Sequence, residues 1–241
     1  MTEHPRYGLY THNLGVLYLD SHKYAEAEKY IKESVRIRKN IYGEHSYDHA
    51  NSLLSLGSLY ERTGNYTKAK EIYDQVTEMA INLFDDQSLF YAKAICHLGS
   101  LQEISDNYLA AEQYYLQALD IFRKKWGENN SQYLVVSSCL GRVYDKIQDY
   151  AQAITYLKFV TQYHENLYIH SIEYMSEFQR KSFWEKRKYT FEQGFPRVLY
   201  KASFSQLSVS GSAAYNNELF IKGLLRSEEH TSELQSLAYL V

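Results

Sequence analysis

Apolar residues recur along this chain at helical spacing, and short polar stretches interrupt them at regular intervals. Near the start, Tyr10, Leu14, Leu17 and Tyr18 fall at offsets of three and four, and beyond Ser21-His22-Lys23 the set Ala27, Ile31 and Ser34 does the same. Each set makes one stripe on an α-helix, so the pair predicts two amphipathic helices joined by a tight turn. The pattern then returns: Leu14-Gly15, Leu56-Gly57, Leu98-Gly99 and Leu140-Gly141 are each 42 residues apart, and the same step relates Tyr24, Tyr66, Tyr108 and Tyr150. Ala27, Ala69, Ala111 and Ala153 keep it too. A fixed period of this kind predicts stacked helical hairpins, here four of them.

The turns inside the hairpins read Ser21-His22-Lys23, Thr63-Gly64-Asn65, Ser105-Asp106-Asn107 and Ile147-Gln148-Asp149. Most of these residues suit turns and helix starts. The second helices are expected to run to an aromatic near Tyr42, Phe84, Trp126 or Tyr168, with Gly43 and Gly127 as stops. Glycine inside a helix costs about 1 kcal/mol against alanine, so Gly15, Gly57, Gly99 and Gly141 need compensation. A helix lacking a Cβ there lets its partner approach closely, and Ala27, Ala69, Ala111 and Ala153 are expected to face the same crossing.

Composition agrees with an all-α chain. Two prolines and 11 glycines in 241 residues leave few places where helices must stop. The net charge of −3 is spread along the chain, without a basic stripe for nucleic acid or a polybasic segment for an anionic membrane. No apolar run approaches the ~20 residues that span a bilayer. Protein partners are therefore expected, with neither nucleic acid nor membrane among them. Cys96 and Cys139 form no metal-type pair and no disulfide framework, which fits a reducing cytoplasm.

Leu-Gly, then Tyr18, Tyr60 or Tyr144, the turn, the Tyr and Ala positions, and the large apolar Ile31, Tyr73, Tyr115 or Leu157 resemble the tetratricopeptide repeat (TPR). The long period and the linker Tyr42-Gly43-Glu44-His45-Ser46 resemble the long-helix variety of kinesin light chains and many bacterial signalling proteins. The resemblance covers residues 7 to about 168. It implies a right-handed superhelix of hairpins followed by additional helices, whose concave face is lined by the first helix of each hairpin and binds a protein or peptide. On that family's pattern the groove positions are Asn51, Leu54, Ser58, Glu61 and Arg62 in the second repeat. The third repeat offers Lys93, Cys96, Ser100 and Glu103, and the fourth Ser138, Arg142, Asp145 and Lys146. Mixed charge suits an extended peptide or a regulatory segment of the same protein. The same residues also fit an ordinary solvated face.

The register fails past Tyr168: Phe183-Trp184 stands where the next Leu-Gly would fall. Residues 170–195 read as one long helix stopped at Gly194 and Pro196, followed by a short helical stretch, a small polar loop and a last helix over residues 215–227. Residues 175–225 resemble the connecting region that precedes the caspase-like CHAT domain of bacterial TPR-CHAT proteins. That resemblance implies a regulatory array of a larger protein, with a His and Cys peptidase pair farther on. A non-proteolytic adaptor or the sensor arm of a bacterial regulator is the alternative. Residues 226–236, RSEEHTSELQS, resemble the in-frame translation of a sequencing adapter, so residues 226–241 are expected to be foreign to the fold. At the other end, residues 2–15 resemble the linker before the second repeat. Further repeats upstream are expected; the alternative is a chain whose first helix is its own cap.

Candidate chemistry is sparse. His45 and His49 are spaced i,i+4, but no Glu, Asp or Cys completes a ligand set, so no metal is expected. Neither cysteine has a nucleophile's partners in its own repeat, and no glycine-rich phosphate loop or nucleophile elbow is present. The expectation is a chain with no cofactor and no catalytic residues of its own.

Overall fold

A computed structural model describes residues 4–171 and 174–188, together with Gly194 and Val198. The expected last helix and residues 226–241 lie outside the described residues. Those described are helical, in the order α1 (Pro5–Asp20), α2 (Tyr24–Tyr42), α3 (Tyr47–Arg62), α4 (Tyr66–Leu83), α5 (Leu89–Ile104), α6 (Tyr108–Trp126), α7 (Ser131–Lys146), α8 (Tyr150–Ser171) and α9 (Glu177–Lys188). No strand occurs among them. The fold class is all-α.

The same period governs where the helices start and turn. His4, Ser46, Ser88 and Asn130 are the N-caps of α1, α3, α5 and α7, and each side chain accepts a hydrogen bond from a backbone N–H of the first turn. Those donors would otherwise have no partner. Inside the hairpins, the residue that reverses the chain is His22, Gly64, Asp106 or Gln148, with φ of 57°, 80°, 57° and 64°. Left-handed backbone lets the chain leave the first helix and start the second two residues later, and only Gly64 adopts it without a Cβ clash. Gly43 and Gly127 end α2 and α6 at φ of 86° and 77°, as expected of helix stops.

Close crossing at the in-register glycines is present, but its partner differs from the expected alanine. A Cβ added to Gly15 would lie 2.6 Å from Ile31 Cγ1, and one added to Gly141 would lie 2.5 Å from Leu157 Cγ. At Gly57 the atoms met are those of the Tyr73 ring, and at Gly99 the Tyr115 ring at 2.9 Å. The large residue one turn beyond the alanine thus lies across the glycine. Its size brings the glycine into use. Ala27, Ala69, Ala111 and Ala153 are fully buried nearby, where a larger side chain would hold the helices apart.

The helices divide into two compact units, residues 1–128 and 129–241. In the first, Leu19, Ala27 and Ile31 pack with Leu56 and Leu59, so hairpin one closes on the first helix of hairpin two. Tyr73, Val76 and Ala80 pack with Phe90, Ala94 and Leu98 in the same way one period later. Each buried Leu, Ile or Val contributes about 1.5–3 kcal/mol. In the second unit, Leu140, Val143, Leu157 and Val160 are buried on α7 and α8, and the Tyr168 and Phe183 rings, 5.2 Å apart, join α8 to α9.

Among its described residues, the long helix expected over 170–195 is interrupted. α8 ends at Ser171 and α9 begins at Glu177. Ser176 is the cause: its hydroxyl accepts from Gln179 N at 3.3 Å while Gln179 Oε1 accepts from Ser176 N at 2.8 Å. That reciprocal pair is a capping box, which starts a helix rather than continuing one.

Gly99→Leu forces Tyr115 off its seat and is expected to cost about 1–3 kcal/mol or more, read as a lower midpoint in a circular-dichroism melt. Gln148→Gly removes the Cβ from a left-handed position and is expected to raise stability by roughly 0.5–1 kcal/mol, the unfolded-state entropy of glycine offsetting part of the gain.

Candidate functional site

The first unit places α1, α3 and α5 side by side, and two polar clusters link them to α2 and α4. The first is centred on Glu61, in the last turn of α3 with its side chain 15% exposed. Tyr73 of α4 donates its phenol hydrogen to Glu61 Oε2 at 2.6 Å, and Ser100 of α5 donates to Oε1 at 2.6 Å. His97 of α5 places Nδ1 3.3 Å from Oε2 and stacks on the Tyr73 ring at 4.7 Å between centroids. Burial alone would raise the Glu61 pKa, but hydrogen bonds from His97, Ser100 and Tyr73 outweigh it and hold the carboxyl below its ordinary range. Burial, then the Glu61 charge, pushes the Tyr73 phenol far up, so it stays a donor.

Gly57 makes this geometry possible. It lies one turn before Glu61, and the space it leaves lets the Tyr73 ring cross α3 and reach the carboxylate. One period on, Tyr115 crosses Gly99 and donates to Glu103 Oε2 at 2.9 Å. The outer repeats replace these tyrosines with Ile31 and Leu157. Serine, histidine and a carboxylate meet at Glu61 in an order unlike that of a hydrolytic triad. The hydroxyl donates directly to the carboxylate, so the imidazole is not placed to take its proton. What the cluster does is tie three helices together at a wet-facing carboxylate.

A second polar cluster joins α1, α2 and α3. Arg38, 3% exposed, donates from Nη1 to Asp48 O at 3.2 Å and to Ser52 Oγ at 3.0 Å. Its Nη2 lies 3.8 Å from Asp48 Oδ1. Ser34 Oγ donates to Gly8 O at 3.1 Å and lies 2.9 Å from Ser52 Oγ. His12 Nδ1 is 3.5 Å from Ser52 Oγ and Nε2 is 3.4 Å from Asn51 Nδ2. Burial, then the Arg38 charge, lowers the His12 pKa to about 4, with Asp48 opposing. The imidazole is neutral at pH 7.

Of the residues expected to line a groove, Asn51, Ser58, Glu61, Ser100 and Glu103 are half-buried on the first helices. Glu61 and Ser100 are in direct contact. Arg62 is exposed, donates to Leu19 O at 3.2 Å and pairs with Asp20 at 3.4 Å, linking adjacent hairpins. Lys93 is set apart from the Glu61 cluster, its ammonium 6.0 Å over the Trp126 ring. Cys96 is half-buried and in no disulfide. Leu54 is a correction: at 9% exposure it belongs to the core with Ala50, Leu53, Ala94 and Leu98. Its place in α3 turns toward α5 rather than to solvent.

In the second unit Ser138 bonds Leu134 O at 3.0 Å and Arg142 Nη2 lies 3.3 Å from Cys139 Sγ. Asp145 is half-buried and Lys146 exposed. His49 is buried with Nδ1 2.7 Å from Glu44 O, while His45 is exposed. Among the described residues no three His, Cys, Asp or Glu side chains gather as a metal site.

Sequence reasoning missed His12, Arg38, Ser52, Asp48 and His97, and took Tyr73 as packing only. A signal was available for the first cluster. Ser34, Arg38 and Ser52 occupy the positions of Val76, Ala80 and Ala94 in the next repeat, so polar residues there break an apolar column.

Residues 8–82 and 52–124 match the tetratricopeptide repeat family model. Among solved structures, the chain resembles a kinesin light chain of Podosopora anserina with nearly identical TPR-like repeats at a TM-score of 0.66 and 15% identity, covering 95% of this chain and 100% of that one. It also resembles BtubC (BKLC) of P. vanneervenii at a TM-score of 0.62 and 20% identity, covering 88% of this chain and 76% of that one. No curated protein sequence matches. Residues 8–124 therefore carry the tetratricopeptide repeat, and the chain shares the fold of these repeat structures.

Tyr73→Phe deletes one donor to Glu61 and is expected to cost about 1–2 kcal/mol in a denaturant melt. A cycle with Glu61→Gln should show the two changes to be non-additive. His12 contributes a pH term of definite sign. Its folded pKa lies below the unfolded 6.5, so the unfolded chain takes up the proton first and stability falls as pH drops from about 6.5 through about 4. Glu165, pushed up from 4.5 to about 7 by burial, acts oppositely, losing stability as pH rises from about 4.5 through about 7. Comparing parent with His12→Gln isolates the histidine, and the variant is expected to lose less stability between pH 6.5 and 4.

Proposed function

We propose that this chain is a protein-interaction array that holds a peptide or protein segment along the shared face of α1, α3 and α5, as the regulatory arm of a bacterial TPR-CHAT protein. The observation that carries the interaction reading is the tetratricopeptide match combined with that face, where small side chains such as Asn51, Ser55 and Ser58 lie beside preorganised polar groups. Small residues leave room for an extended backbone, and fixed donors and acceptors recognise it at low entropic cost.

Resemblance of residues 175–225 to a TPR-CHAT connecting region supports the wider context. α9 supplies a helix within that run. In this reading the repeats sense a partner and restrain or release a caspase-like peptidase domain carried farther along the same polypeptide, in the reducing cytoplasm. The described residues include no helix long and apolar enough to cross a membrane. The likeness to kinesin-light-chain repeats favours a second reading, a non-proteolytic adaptor using the same face.

The test is to sequence the source gene across the codon for Leu225. A frame that continues into a caspase-like domain with a His and Cys pair is the expected result. One that stops or enters a DNA-binding or nucleotide-binding module overturns the peptidase context and leaves the adaptor.

A further inference from the structure

The hydrogens of the Arg38 cluster can be assigned one by one, because its two ends leave no choice. Arg38 Nη1 donates to Ser52 Oγ at 3.0 Å, and a guanidinium can only donate. Gly8 O can only accept, so the Ser34 hydroxyl spends its single hydrogen there, at 3.1 Å. Ser34 Oγ and Ser52 Oγ are 2.9 Å apart, and with the Ser34 hydrogen committed, Ser52 is the donor of that pair. Ser52 then has no hydrogen left for His12, whose Nδ1 lies 3.5 Å away. The bond open to that contact is Nδ1–H donating to the second lone pair of Ser52 Oγ. Reversing every donor would leave Ser34 Oγ and Gly8 O facing each other in a buried site with no hydrogen between them.

The assignment carries on to the surface. His12 is neutral at pH 7, so a proton on Nδ1 leaves Nε2 bare, as an acceptor. Asn51 meets it with its amide nitrogen, Nδ2, at 3.4 Å. His12 is 8% exposed and Asn51 half-buried, so the carboxamide turns its nitrogen inward and its oxygen outward. Among the described residues no donor reaches Asn51 Oδ1.

We propose that His12 is a positioning residue: the one-way hydrogen-bond chain through Ser34, Ser52 and His12 fixes the Asn51 carboxamide with Oδ1 outward, as an acceptor for an N–H group of the bound segment. The inference rests on the interaction reading above and adds the chemistry of what is bound at Asn51. A carboxamide free to turn would offer either end, whereas one held in place meets its ligand without that entropic cost. The ligand therefore brings the hydrogen, from a backbone N–H of an extended segment or from a lysine ammonium.

The tautomer is measurable without any ligand. NMR of the ring nitrogens in the whole chain, isotope-labelled at histidine, is expected to show His12 protonated at Nδ1 and bare at Nε2 at pH 7. The His12→Gln spectrum identifies its signals among the nine histidines. Free histidine prefers the opposite tautomer, so the expected result is not the default one. A proton on Nε2 overturns the proposal, since Asn51 would then turn its oxygen inward. Asn51→Asp replaces the inward nitrogen by an oxygen and is expected to draw the proton to Nε2; an unchanged spectrum breaks the link between the two residues.

For the ligand, peptides are selected from a random displayed library on the parent chain. His12→Leu, which installs the residue found one period on at Leu54, has no acceptor for Asn51. It is expected to weaken the selected peptide about three- to tenfold by fluorescence anisotropy. His12→Gln is expected to restore binding, because its amide can both accept from Asn51 and donate to Ser52. Both variants binding like the parent, or both failing alike, overturns the positioning role. Scanning the peptide by backbone N-methylation, and by replacing lysines with methionine, separates a main-chain N–H from an ammonium. One such change is expected to lose its effect in Asn51→Ala, and if none does, the ligand class is overturned. A library that returns no binder overturns the interaction reading and the ligand class with it, whichever tautomer is found.

Discussion

Each of the four hairpins among the described residues depends on one contact, a large side chain of the second helix laid across a glycine of the first. Helix axes normally stand 8–10 Å apart, and the bulk at the crossing sets the distance. At Gly15, Gly57, Gly99 and Gly141 the first helix has no Cβ, so Ile31, Tyr73, Tyr115 or Leu157 fills the gap. The alanine one turn earlier keeps the rest of the crossing narrow. A glycine that is unfavourable for its own helix thus becomes favourable for the pair.

That shared contact is used in two chemical versions. Where the crossing residue is aliphatic, in the first and fourth hairpins, a tyrosine pair stacks farther out: Tyr18 on Tyr30 at 5.5 Å and Tyr144 on Tyr156 at 5.6 Å. Where it is tyrosine, in the second and third, the phenol continues past the glycine to Glu61 or Glu103. A packing position has become a polar one, because a buried hydroxyl requires a partner and the carboxylate a turn beyond the glycine provides it. Ser100 and His97 then extend the link to the next hairpin, so the same carboxylate joins neighbouring repeats.

The Arg38 cluster obeys the same requirement at greater risk. A buried guanidinium is tolerated only when its donors are met, and Asp48 and Ser52 meet several of them. Its equivalents one and two periods on are Ala80 and Phe122, fully buried and apolar. The junction of the first two hairpins is therefore chemically distinct from the next. The Arg38 cluster fixes the inside of that junction, while the half-buried Glu61 cluster links α3, α4 and α5 one period later.

The linear order of residues was enough to reveal the architecture. A period of 42 residues places caps, turns, glycines and crossing residues in columns, and a column is legible because each hairpin solves the same packing problem with the same residue types. The four hairpins, their helix ends and the role of the glycines could be read that way. Contacts between columns could not. Leu54 looked like a groove residue by position and is core, because the rotation of α3 against α5 decides which side of a helix meets water. Tyr73 looked like packing and is also a hydrogen-bond donor, because its reach to Glu61 depends on how closely two helices cross. The capping box at Ser176 divided a helix that composition alone would have continued. Local sequence determined which elements form and how often they recur; tertiary structure decided which polar groups meet, since those meetings depend on distances between helices that no single repeat contains.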